Sequence, residues 1–295
     1  MFTRPLSYRP AGGTSTGVDS PDIFDRNARR LRRDRAADHF ADHDFLRHAM
    51  VEGLLDRLDS VTRTFTDVLE LGCFDAGLPL PPGVHPVRTD PGRRFAAMNG
   101  GRQIDEDRLD FADASFDLVV SAGTLDSVGD LPGAFALIRR MLRPDGLFLA
   151  AFTGGGTLST LRRTLIEAEG DRPAPRIHPQ VDVRSAGDLL VRAGFALPVA
   201  VSETLTVRYG NIFTLFADLR GMAASNIMPG RVPLRRDTLA RAAEIFAAAA
   251  DPDGKTRERF DILYLTGWAP APSQPKAARR GSATASLAGA LGKTA

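Results

Sequence analysis

The chain has 295 residues, of which 43% are hydrophobic and 25% charged, with a formal charge of +2 and a pI near 9.0. These values suit one globular domain with additions and exclude gross disorder except at the ends. No apolar run approaches the ~20 residues that span a bilayer, and the arginines alternate with aspartates, which predicts no nucleic-acid footprint.

Residues 1–22 read as a disordered tail. Arg4 and Arg9 without acids suggest a transit peptide, but Pro5, Pro10 and Gly12-Gly13 interrupt any amphipathic helix. From Ile23 to about Leu58 the pattern is helical, with Asp22 as cap, Arg29 to Arg35 as a solvated basic stretch, and Phe45, Leu46, Met50, Leu54 and Leu58 at helical spacing. A first strand follows at Val68 to Leu71 and a second at Val84 to Arg88. Between them Gly72 opens a turn, but Phe74-Asp75-Ala76 follow, and Pro79, Pro81 and Pro82 forbid a regular helix. A loop must therefore join two parallel strands that usually need a longer crossover.

Leu118 to Ser121 is the most hydrophobic strand and is expected at the centre of the sheet. Asp130 caps a helix with Pro132 in its first turn, which Pro144-Asp145-Gly146 ends. Leu147 to Phe152 is the next strand, Gly154 to Gly156 lead into a helix over 158–168, and Ser185 caps another that ends at Gly194. An alternating stretch at 199–207, helices at 211–222 and 237–250, and a last strand at Phe260 to Trp268 complete the domain, placed at 23–270. Residues 271–295 form a Pro/Ser/Ala/Arg-rich tail that wraps the surface or stays mobile.

Leu69-Glu-Leu-Gly-Cys73, Asp105 to Asp117, and Leu142-Arg-Pro-Asp-Gly146 together resemble the successive motifs of class I S-adenosylmethionine (SAM)-dependent methyltransferases. Ile23-Phe-Asp-Arg26, Asp34-Arg-Ala-Ala37, Gly267-Trp268, Ser273-Gln274 and Gly281-Ser-Ala-Thr284 resemble one branch, related to the mitochondrial complex I assembly factor that acts as a protein-arginine hydroxylase. The resemblance implies an α/β fold with a Rossmann-like seven-stranded sheet, its last strand reversed, plus an N-terminal helical segment. It also implies SAM as cofactor, with Gly72 and Cys73 approaching by backbone, Asp90 at the ribose, Asp105 near adenine and Ser121 at the end of the central strand. Glu106 joins this set as a neighbour of Asp105.

Each residue has a plainer reading. Asp90 is also a turn acid before Pro91-Gly92, Asp105-Glu106-Asp107 a solvated loop, and Cys73 a small core residue; as the only cysteine it makes no internal disulfide. His39 and His43, flanked by Asp38 and Asp42, have helical spacing for a metal but read as solvated, and His85 and His178 lack an acid partner in sequence; no metal site is expected. Relatives place His-Trp where this chain has Asp126-Ser127, and often an Asp at Gly156. The functional expectation is a SAM-dependent methyltransferase-like enzyme acting on a protein or small molecule in the bacterial cytoplasm. The alternative is a non-catalytic or hydroxylase-type assembly factor for respiratory complex I, with a respiratory-complex subunit as partner.

Overall fold

The computed structural model describes residues 22–80, 83–84, 86–170 and 174–275. The expectations for the N-terminal tail, Pro81, Pro82, His85, Ser282 and Thr284 lie outside them. Eight α-helices and seven strands are seen among the described residues, the strands in the order β3-β2-β1-β4-β5-β7-β6. β1 (Val68–Leu71), β2 (Val87–Asp90), β3 (Arg102–Gln103), β4 (Phe116–Ala122) and β5 (Leu142–Thr153) are parallel. β7 (Thr256–Trp268) runs antiparallel between β5 and β6 (Ala196–Tyr209).

β4 is central and buried along its whole length, as the apolar Leu118-Val-Val120 at its middle requires. Its alternate side chains feed two cores. Leu118 and Val120 join Met50 and Leu54 of α2 (Phe45–Asp59), Leu161 and Leu165 of α5 (Ser159–Glu169), and Phe246 of α8 (Arg236–Ala248). Val119 joins Phe135 and Ile138 of α4 (Leu131–Met141) and Leu190 of α6 (Val183–Arg192) on the opposite face. Each such leucine or phenylalanine contributes about 1.5–3 kcal/mol relative to exposure.

Between β1 and β2 the described residues form no helix, as the prolines require. Buried Glu70 holds this loop instead, accepting from the Leu78 amide at 2.8 Å and Arg88 Nε at 3.0 Å. Burial raises the Glu70 pKa against the pull of these donors and of Arg47.

Several boundaries differ from expectation. β2 starts at Val87, where the chain first reaches hydrogen-bonding register with Leu69 of β1. α1 (Arg26–Ala36) is capped by Asp25, which accepts from Ala28 N, while Asp22 pairs with Arg26. α6 is capped by Asp182, whose two oxygens take the Ser185 amide and hydroxyl, so Ser185 lies one turn inside the helix. α4 ends at Met141, and Pro144-Asp145-Gly146 form an irregular start to β5, with Asp145 at φ 63°. Asp145 N and Gly146 O there bond to the Ala269 backbone, which ties the beginning of the C-terminal segment to the sheet.

The largest correction concerns Arg29 to Arg35. Arg29 and Arg33 are buried. They face inward because α1 lies against α3 (Arg93–Met98) and α7 (Ile212–Gly221) across the open end of the sheet.

Candidate functional site

The C-terminal ends of β1, β2 and β4 make one cleft, the place where open α/β sheets bind ligands. β1 and β4 are aligned so that Leu71 faces Ser121, and β1 and β2 so that Leu71 faces Thr89. Gly72, Cys73, Asp90 and Ser121 therefore converge, with Asp105 and Glu106 completing the rim. All six residues proposed from sequence are buried or at the buried turn.

The turn itself is tight. The Gly72 and Cys73 amides both donate to Thr89 O, at 2.8 and 3.2 Å. Gly72 has φ +77°, and a Cβ there would stand 2.0 Å from Thr124 Cγ2, so only glycine fits. Ser121 Oγ pairs with Thr124 Oγ1 at 3.0 Å. Phe74, at φ 51°, turns its ring inward to stack on Phe40 at 4.7 Å and to meet Phe95 at 5.3 Å. Cys73 is wholly buried, and burial beside Asp90 and Glu70 pushes its thiol up to about 12. It is a core residue with no nucleophilic character.

α1 presents Arg26, Arg29, Arg30 and Arg33 at i, i+3, i+4 and i+7, which places them on one helix face. That face meets a row of four acids. Arg33 forks onto Asp90 at 2.8 and 2.6 Å, and Arg29 onto Glu106 at 2.6 and 3.0 Å. Arg30 reaches Asp105 at 2.5 Å, and Arg26 grips Asp107 at 2.5 and 2.6 Å. Asp90, with no solvent exposure, also accepts from the Phe74 and Gly92 amides. The Arg33 guanidinium lies 4.0 Å above the Phe74 ring.

With α1 seated in this way, Asp90 is closed to a cofactor ribose. Asp90 already accepts four hydrogen bonds from the protein and has no lone pair left for ribose hydroxyls. Asp105 differs, since its Oδ1 is buried with no hydrogen-bond partner.

Beside the closed cleft, above the ends of β4 and β5, lies a cavity of about 560 Å³. Its floor carries Gly123, Asp126, Ser127 and Thr153, and α1, α2, α5, α7 and the segments 176–180 and 222–234 form its walls. Asp126 accepts from the Thr153 hydroxyl, and burial raises its pKa against the opposing pull of Arg29 and Arg33. His178 Nε2 accepts from the Ile227 amide at 3.0 Å, and burial lowers its pKa to about 4. His43 instead bonds Asp218 at 2.8 Å, His39 is exposed, and no metal-binding cluster is found among the described residues.

Sequence reasoning missed Asp126, His178 and the arginine face of α1. The spacing of Arg26, Arg29, Arg30 and Arg33 was the available signal, since four cations on one helix face beside Asp105-Glu106-Asp107 predict pairing. Gly156 is explained by Asp261: a Cβ at Gly156, with φ +104°, would lie 2.1 Å from Asp261 Oδ2, so a carboxylate from β7 already fills the space where relatives carry Asp.

Strand order, the reversed β7 and the cleft at the ends of β1, β2 and β4 define the fold of class I SAM-dependent methyltransferases. A family model described as a methyltransferase domain matches residues 92–150. A solved phosphoethanolamine N-methyltransferase 2 of Haemonchus contortus, in complex with phosphomonomethylethanolamine and S-adenosylhomocysteine, superposes with a TM-score of 0.51 at 14% identity, covering 82% of this chain and 60% of that one. In sequence the chain is 35% identical to the mitochondrial arginine-hydroxylase NDUFAF5 of Danio rerio, over 90% of this chain and 88% of the relative. It is 30% identical to a malonyl-[acyl-carrier protein] O-methyltransferase of Halorhodospira halophila, over 83% and 88%. The chain belongs to the family of the arginine hydroxylase NDUFAF5, within the class I methyltransferase superfamily.

Proposed function

We propose that this protein is a SAM-dependent enzyme of the arginine-hydroxylase branch whose cofactor cleft opens only when α1 is displaced. Its acceptor is presented in the cavity above β4 and β5. The observation that carries the reading is the Arg33–Asp90 fork, which closes the acid expected to hold ribose. A ligand that needs Asp90 competes with Arg33, so its apparent affinity falls in proportion to the open fraction. Asp105 Oδ1, which accepts no hydrogen bond and meets only Arg29 Nη1 at 3.9 Å, supports a donor-bearing ligand at the same row. Residues 23–270 are the working unit, acting in the bacterial cytoplasm on a protein or small-molecule acceptor. No helix among the described residues is long and apolar enough to cross a membrane.

A second reading, a cofactor-free assembly factor in which the acid row serves only to seat α1, draws support from Phe74 in the turn and its stack under Arg33. Calorimetric titration with SAM separates the two. The full chain is expected to bind weakly, and Arg33→Gln, which frees Asp90, to bind at least about tenfold tighter. Absence of saturable binding by both proteins overturns the SAM reading in favour of the second.

A further inference from the structure

The acceptor cavity is uneven in charge. Asp126 is its only acidic lining residue, against seven arginines. Five of those arginines are committed to carboxylates: Arg29 to Glu106, Arg33 to Asp90, Arg47 to Glu70, Arg176 to Glu169 and Arg231 to Asp25. The side chains of Arg32 and Arg220 make no hydrogen bond or ion pair with any described residue, and Arg47, nine-tenths buried, leaves its Nε without a partner. Arg32 is half-buried, and its pKa is lowered by burial and by the neighbouring Arg231 and Arg35 cations. A guanidinium partly withdrawn from water among like charges is stabilised when an anion joins it.

Two further features shape the site. His178, a lining residue of the cavity, accepts a hydrogen bond at Nε2 from the Ile227 amide, so its neutral ring carries hydrogen on Nδ1, a donor with no partner among the described residues. The wall formed by Leu158, Leu161, Leu165, Phe216, Leu219 and Phe260 is apolar. A volume of about 560 Å³ is in the range that holds a small organic ligand.

We infer that this cavity binds an amphiphilic organic anion, its carboxylate or phosphate ester at Arg32 and its apolar body along the α5 and α7 wall. The inference rests on the proposal above for the cavity's role as acceptor site, but the binding does not depend on SAM. A cationic guest is disfavoured, because the one acid on the floor is already bonded to Thr153 and flanked by Arg29 and Arg33.

The test uses the full chain without SAM, titrated calorimetrically with decanoate, decyl phosphate, decanol and decyltrimethylammonium below their micellar concentrations. Either anion is expected to bind at least about tenfold tighter than decanol, with the cation not binding. The tighter of the two anions identifies the head group as carboxylate or phosphate ester. Arg32→Gln should remove the preference for the anion while leaving decanol binding unchanged, and Arg32→Lys should restore part of it; circular dichroism melts confirm that both variants fold. Equal binding of decanol and the anions, or an anion preference that survives Arg32→Gln, overturns the inference. Because SAM binding is measured separately, a chain that binds anion but not SAM leaves this inference standing and removes only the earlier one.

Discussion

Replacing Arg33 with methionine breaks the pair on which the closed cleft depends while keeping an apolar stem over Phe74. The side chains of Arg33 and Asp90 are 5% and 0% exposed, so the carboxylate left behind cannot be rehydrated without moving α1. Removing one partner of such a pair costs about 3–5 kcal/mol. The Phe74 and Gly92 amides remain on Asp90, which places the expected loss near about 3 kcal/mol. Asp90→Asn should cost a similar amount for the converse reason, and the double variant should cost less than the two single losses together, with a coupling energy of about 2 kcal/mol or more. Urea unfolding at pH 7 with an unchanged m-value measures each term. The loss should also be nearly independent of added salt, because the pair is shielded from counterions. A loss below about 1 kcal/mol for Arg33→Met, or a coupling energy within about 0.5 kcal/mol of zero, would refute the buried fork.

Gly72→Ala must adopt φ +77° and push against the Thr124 methyl, so a loss of about 1–3 kcal/mol from strain, with further loss from the clash, is expected in the same urea assay. Cys73 should resist Ellman's reagent in the native protein and react fully after denaturation, since its thiol is buried and pushed up to about 12. His178, lowered from 6.5 to about 4, favours the neutral form on folding. Its contribution is complete above pH 6.5 and lost as pH falls towards 4, by up to about 3 kcal/mol, and His178→Gln should flatten that part of the stability profile. Asp126→Asn should leave stability unchanged or higher at pH 8, because burial disfavours the charged carboxyl that it replaces.

The sheet was readable because its signals are local. Val68 to Leu71, Leu118 to Ser121 and Leu147 to Phe152 are short, largely apolar runs, Asp130-Leu-Pro132 caps a helix by its own chemistry, and three prolines exclude a helix after Gly72. Caps were less legible where several candidates stand together, as Asp22 and Asp25 do, or Asp182 and Ser185, because the choice depends on where the helix axis meets its neighbours. The candidate site was legible as a set of acids but not as a state. Asp90, Asp105 and Glu106 could be named, yet their partners lie between 57 and 77 positions away on α1, and only the folded path of the chain shows that arginines read as solvated are seated on them. Asp126 and His178 were obscured for a similar reason, since their partners Thr153 and Ile227 come from distant segments.

The four cations of α1 form two parallel seams. Arg26 and Arg30 lie on the wet side, with side chains 20% and 39% exposed, and Arg29 and Arg33 on the dry side, each at 5%. Ions in solution reach the first seam and weaken it, but they do not reach the second. Raising ionic strength should therefore loosen the rim of α1 without unseating it. What unfastens the inner seam is a solute shaped to compete for Asp90 and Glu106 themselves, so the cleft responds to the chemical identity of a visitor and stays indifferent to the saltiness of its surroundings.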